Sequence, residues 1–211
     1  MAPTRKPTFF ELTSSLDFVE KSAGTLSGDM KTSIDALQET AAKVFNFLKR
    51  RVGPSALLTS SFQTLNAHQG LIRETCRLSL EEFLGLWQDL RHLIDPRKQQ
   101  CSRFLPDKTS TVSGDHLTHG LGHCRDTLLQ WSHLVLTSLD DFQTEIHHMA
   151  PMLSPDYGQT LLFGLDQIST QVKSTRQLFI CQMEGLQTHA DELHTSLQQF
   201  GQQLPEIITI E

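Results

Sequence analysis

The residues with the most obvious capacity for chemistry lie between 115 and 124, where Asp115, His116, His119, His123 and Cys124 fall close together. Imidazole, carboxylate and thiolate are the ligands that zinc takes. His119 and His123 stand four residues apart, so on a helix both rings reach one side and could meet one ion. A zinc site needs further ligands, however, and on the same helix His116 and Cys124 point elsewhere. Gly114, Gly120 and Gly122 also make the segment a poor helix start. His116, His119 and His123 are therefore the metal candidates, set against the simpler reading of surface or interface histidines. His147 and His148 are adjacent, so their rings diverge on a helix and do not chelate.

No nucleophile elbow, glycine-rich phosphate loop or HExxH motif is present. Gly114-Asp115 and Gly120-Leu121-Gly122 lack the strand that a nucleotide loop follows. Asp140, Asp141 and Glu145 fall on a polar helical face and most simply keep it solvated. No catalytic residue and no cofactor is assigned, and the chain reads as non-enzymatic.

The elements that would position any such residues are announced by periodicity. Leu12, Leu16, Val19, Ala23, Leu26, Met30, Ile34, Leu37, Ala41, Val44, Leu48 and Val52 recur at a mean step of about 3.6 residues. A strict heptad would average 3.5 and impose a left-handed supercoil, so this spacing predicts a nearly straight helix. Gly53-Pro54 ends it. A second stripe runs through Leu58, Phe62, Leu65, Ile72, Cys76, Leu80, Phe83, Leu86, Leu90 and Leu93. It stops at Asp95-Pro96, because proline pushes its predecessor out of the α region. A connector over 96–114 follows, unusually long for a compact domain. The third stripe carries Leu117, Leu121, Cys124, Leu128, Trp131, Val135, Phe142 and Ile146. Ala150-Pro151 and Ser154-Pro155-Asp156 predict a turn, and the fourth stripe runs from Leu161 through Ile168, Phe179 and Leu193 to Leu204.

These stripes predict an all-α chain: an antiparallel four-helix bundle with helices at about 8–52, 55–94, 115–149 and 156–203. The bundle domain would span 8–204, between an N-terminal tail (1–7) and a C-terminal tail (205–211). Ile207-Ile208-Thr209-Ile210 is β-prone and expected to add a short strand, pack across the bundle or fray. Each predicted helix has one apolar stripe and a polar face, so none is stable alone in water.

The totals narrow the class further. The 211 residues are 38% hydrophobic and 20% charged, with a net charge of −6. An acidic balance argues against nucleic acid, whose phosphates call for clustered cations. Lys49-Arg50-Arg51 is too short to reverse that and suits the C-terminal end of a helix dipole. No run approaches the roughly 20 apolar residues of a membrane span. Residues 1–7 carry positive charge without an apolar run behind it, so they do not read as a secretory signal. Cys76, Cys101, Cys124 and Cys181 lie far apart without metal-type pairing, and a reducing, cytoplasmic setting is expected.

The order of features resembles a known family. Phe9-Phe10-Glu11-Leu12-Thr13-Ser14-Ser15-Leu16-Asp17, followed by Asp35-Ala36-Leu37-Gln38-Glu39-Thr40, looks like the first long helix of the C-terminal domain of the perilipins, the lipid-droplet coat proteins. Cys124-Arg125-Asp126, Leu136-Thr137-Ser138-Leu139 and Ile146, then the turn at Pro151 and Pro155, are similar to that domain's third and fourth helices. The family's N-terminal conserved region, its 11-residue repeats and its closing tryptophan segment have no counterpart here. The resemblance implies a cytosolic four-helix bundle that associates with lipid droplets or other apolar surfaces, or one that keeps the fold and serves as a protein-binding module.

Two functions are expected on these grounds. In the first, a non-enzymatic bundle exchanges burial of stripe against stripe for burial in a lipid surface. Internal glycines (Gly24, Gly28, Gly70, Gly85, Gly164, Gly185) and polar intrusions (His68, Thr75, Thr175) would ease that opening. Leu37, Phe45, Phe83, Trp131, Phe142, Phe163 and Phe179 would be the core residues that turn outward. In the second, the bundle is an adaptor for another helical protein, docking through exposed residues beside the stripes such as Trp87 and Leu71.

Overall fold

The computed structural model describes residues 9–53, 55–95, 97–105 and 112–201. The predicted tails at 1–7 and 205–211, with the β-prone Ile207–Ile210 run, lie outside the described residues, as do Leu204 and most of the polar part of the connector. The regular elements among the described residues are all helical. Its three long helices are α1 (Phe9–Val52), α2 (Ala56–Ile94) and α3 (Gly114–Gly201), with a 3₁₀ turn at Gln99–Cys101.

Helix ends follow local chemistry. Gly53 has φ 104, a left-handed conformation natural to glycine, and its N–H donates to the Lys49 carbonyl at 3.1 Å. Ser55 caps α2, accepting the Leu58 N–H on its hydroxyl and the Thr59 N–H on its carbonyl. At the start of α3 the cap is reciprocal. Ser113 Oγ accepts from the His116 N–H at 3.4 Å, and the Ser113 N–H donates to His116 Nδ1 at 3.1 Å. This is the capping-box arrangement with histidine where glutamate or glutamine usually stands.

The turn expected at 150–156 lies elsewhere. α3 runs through Pro151 and Pro155, and its one non-helical residue is Gly158, at φ 53 and ψ −141. Each proline removes one helical N–H donor. The helix persists there because Met149, Leu153 and Tyr157 continue the buried stripe beyond Ile146. The break waits for glycine, which alone adopts that backbone conformation without strain.

The helices gather into two compact units, the first of Met1–Thr25, Ser79–Gln130 and Met183–Glu211, the second of Leu26–Leu78 and Trp131–Gln182. Each contains parts of all three helices. In the first, the Trp87 indole N–H donates to the Leu16 carbonyl at 3.0 Å, and Arg91 pairs with Asp17 and Glu20 at 2.8 and 2.6 Å. In the second, Arg73 reaches from α2 to Asp35 and Gln38 on α1. Within α3, Gln143 bonds Ser169 at 2.9 Å and Arg176 pairs with Asp140 at 3.2 Å, across the break at Gly158.

The stripes of α1 and α3 are buried nearly position for position. That of α2 shifts. Gln69, Ser79 and Trp87 are buried, while Leu80 and Leu86 are only half-buried. The connector is partly packed as well: Ser102, Phe104, Leu105 and Val112 are buried.

Candidate functional site

The candidate site is the apolar stripe itself, and its residues divide between the two units. In the second, Leu37 is buried, Phe45 is half-buried with its ring 5.2 Å from Phe62, Trp131 faces Phe179 at 6.4 Å, and Phe142 lies against His68 at 6.5 Å. In the first, Phe83 stacks on Trp87 with ring centroids 5.4 Å apart. Two assignments change. Phe163, expected in the core, is 66% exposed; its neighbour Gly164 is the residue that faces inward, against Val44. Trp87, expected on an exposed docking face, is 1% exposed and held by its bond to Leu16. An indole buried on one helix satisfies its single N–H donor only if a partner carbonyl is within reach. Leu71 is exposed, as expected.

One core position was not anticipated. Gln69 is 2% exposed, and neither its amide nitrogen nor its amide oxygen has a hydrogen-bond partner among the described residues. An unsatisfied buried polar side chain costs about 1–3 kcal/mol. The signal was present in the spacing: between Leu65 and Ile72 a helix must bury a position, and the candidates there are His68 and Gln69. Two other buried polar side chains are bonded to partners on a facing helix or across the break in α3. Thr175 shares a 2.7 Å bond with Ser33, and Ser169 with Gln143.

The glycines separate by packing. A Cβ at Gly24, Gly28, Gly70 or Gly185 would meet nothing within 4 Å, so no close approach explains them. A Cβ at Gly164 would lie 2.5 Å from Val44 Cγ1, and one at Gly120 would lie 2.9 Å from the Phe104 ring.

The histidine candidates take part in packing around that last contact. His116 spends its Nδ1 on the helix cap. His119 and His123 lie 4.6 Å apart edge to face, with the Phe104 ring 6.3 and 6.0 Å away. Gly120 leaves room for that ring beside them. Among the described residues no three metal-ligating side chains converge. The connector is further tied to α2 by Ser102 Oγ, which donates to the Asp89 carbonyl at 2.8 Å, and by an ion pair between Arg103 and the Asp89 carboxylate.

Cys76 and Cys124 are buried free thiols, and burial pushes both up to about 12. At neutral pH they are inert, whereas Cys101 and Cys181 are exposed. The hydrogen bond from Lys43 lowers the Glu39 carboxyl, and that from Arg77 lowers Glu74. A groove of about 640 Å³ in the first unit is lined by charges of both signs, among them Glu20, Glu81, Arg91, Asp95 and Lys98. Its arginine is already paired with Asp17 and Glu20. No helix among the described residues is long and apolar enough to cross a membrane. Compared with protein-family models and with curated proteins, the chain matches none.

Proposed function

We propose that this chain is a non-enzymatic, perilipin-like four-helix protein that associates with lipid-droplet or other lipid surfaces by turning its stripes outward. The four helices are α1, α2 and the two arms of α3 on either side of Gly158, packed antiparallel. Two observations support that packing. Contacts pair rising α1 numbers with falling α2 numbers, Asp17 and Glu20 with Arg91 and Asp35 with Arg73. Within α3 they pair 140 with 176 and 143 with 169.

The observation that carries the lipid reading is Gln69. An unpartnered amide at 2% exposure weakens the closed core by about 1–3 kcal/mol and favours a form in which it is wetted. In the opened form that amide reaches water or headgroups, while the apolar side chains exchange one dry environment for another. The helices survive the transfer, since each keeps its backbone bonds and only its partner changes. The site residues are then Leu37, Phe45, Phe83, Trp87, Trp131, Phe142 and Phe179, all released from the core together.

Flotation with artificial droplets and liposomes tests this reading. The purified protein is expected to rise with the lipid, and recovery in the aqueous fraction on every lipid composition defeats it.

The adaptor reading draws on Leu71 and Leu78, both exposed and seven residues apart on α2. It predicts a stable homodimer or hetero-complex without lipid binding. Size-exclusion chromatography with light scattering distinguishes it.

A further inference from the structure

We propose that one end of the second unit, where α1 gives way to α2 and α3 breaks at Gly158, docks the closed protein on anionic phospholipid surfaces. The two turns share that end. Gly164, six residues past the break, abuts Val44, nine residues before Gly53, and the Phe45 ring packs on Phe62 of the following helix. Of the eleven exposed large hydrophobic residues among those described, five sit within six residues of Gly53 or Gly158. They are Phe47, Leu57, Met152, Leu162 and Phe163.

The same end carries Lys49, Arg50 and Arg51, all exposed in the last turn of α1. None makes an ion pair among the described residues, whereas Arg73, Arg77 and Arg176 of this unit each meet a carboxylate. Arg50 and Arg51 stand three and four residues beyond Phe47, on its face of the helix. Between 150 and 166 of α3 the exposed carboxylates are Asp156 and Asp166, so among the described residues this end carries three unpaired cations and two anions, in a chain of net charge −6. A role in balancing the helix dipole accounts for the cations alone. It leaves unexplained why exposed aromatic and aliphatic side chains collect beside them.

An anionic bilayer surface accounts for both. Phenylalanine and leucine side chains enter the acyl boundary while lysine and arginine extend to the phosphates. Each cation near such a surface is worth about fivefold in binding, so three together contribute on the order of 100-fold. The inference rests on a lipid surface being the partner, but it concerns the closed protein and does not need the helices to part.

Binding is measured with phosphatidylcholine vesicles with and without phosphatidylserine. The variant Lys49→Gln/Arg50→Gln/Arg51→Gln is compared with Phe163→Ser and with the wild type, each checked for an unchanged thermal melt. The wild type is expected to prefer the phosphatidylserine vesicles, with loss of about 100-fold in the triple variant, severalfold weakening in Phe163→Ser, and suppression by salt. A variant joined by a disulfide between Ser33→Cys and Thr175→Cys, which holds the unit closed, is expected to bind these vesicles as the wild type does. If the cross-linked protein binds them and no form binds neutral droplets, the opening reading fails and docking stands. If the triple variant binds like the wild type, or this end instead mediates self-association or takes up an acidic protein, the docking proposal is overturned.

Discussion

Replacing Gln69 by methionine isolates the weak point of the core. Methionine has the same unbranched shape, fills the same space and carries no amide. The glutamine is 2% exposed with both amide atoms unpartnered, so the substitution removes a penalty of about 1–3 kcal/mol. Taking about 2 kcal/mol, and about 2–4 °C per kcal/mol for a chain of this size, the midpoint of thermal unfolding rises by about 4–8 °C. The melt is followed by far-UV circular dichroism. If opening precedes lipid transfer, the same stabilisation slows adsorption to droplets by up to about thirtyfold, at 1.36 kcal/mol per decade of rate. A midpoint that is unchanged or lowered refutes the reasoning, because it would mean that the amide is satisfied in solution and its burial is not a source of instability.

Gly24→Ala, Gly28→Ala, Gly70→Ala and Gly185→Ala should each raise stability by up to about 1 kcal/mol, while Gly164→Ala should lower it by pressing on Val44; thermal melts check both directions. With iodoacetamide at pH 8, native protein should label at Cys101 and Cys181 and leave Cys76 and Cys124 unmodified, whereas all four react in denaturant, as mass spectrometry will read. Because burial raises the folded-state values of Cys76 and Cys124 above their ordinary value of 9.0, their contribution is fully present below pH 9 and is lost as pH rises toward about 12. Urea unfolding across that range should therefore show falling stability. Asp89→Ala removes the anchor of Arg103 and should expose the 99–105 segment to limited proteolysis while leaving the second unit's protection unchanged.

The helices were legible because a 3.6-residue repeat leaves few alternatives. The stripes of α1 and α3 reappear as buried residues from Leu12 to Leu48 and from Leu117 to Leu197. α2 was harder, since leucines at 80 and 86 drew attention from the residues that the helical phase buries. Those are Ser79 and Trp87, and for the same reason Gln69, none of which hydropathy favours. The α3 break was misplaced because Pro151 and Pro155 are stronger local signals than a lone glycine, yet the buried run Met149, Leu153 and Tyr157 outweighs two missing donors. His116 looked like a ligand because histidine is a rare capping-box partner. Nothing in the spacing alone announces the Phe104 ring that His119, Gly120 and His123 surround.

The central claim, that transfer to neutral-lipid droplets requires the core to open, is tested most directly by holding it shut. Ser33 and Thr175 place their hydroxyl oxygens 2.7 Å apart and lie 142 residues apart in sequence, joining α1 to α3. A Ser33→Cys/Thr175→Cys variant with Cys101 and Cys181 replaced by serine should oxidise readily, and a cross-link over so long a loop stabilises the closed form by about 4–5 kcal/mol. Flotation is run on neutral-lipid droplets coated with phosphatidylcholine, with and without reductant. The oxidised protein is predicted to remain in the aqueous fraction and the reduced protein to float like the wild type. Equal flotation of the oxidised and reduced forms would contradict the account.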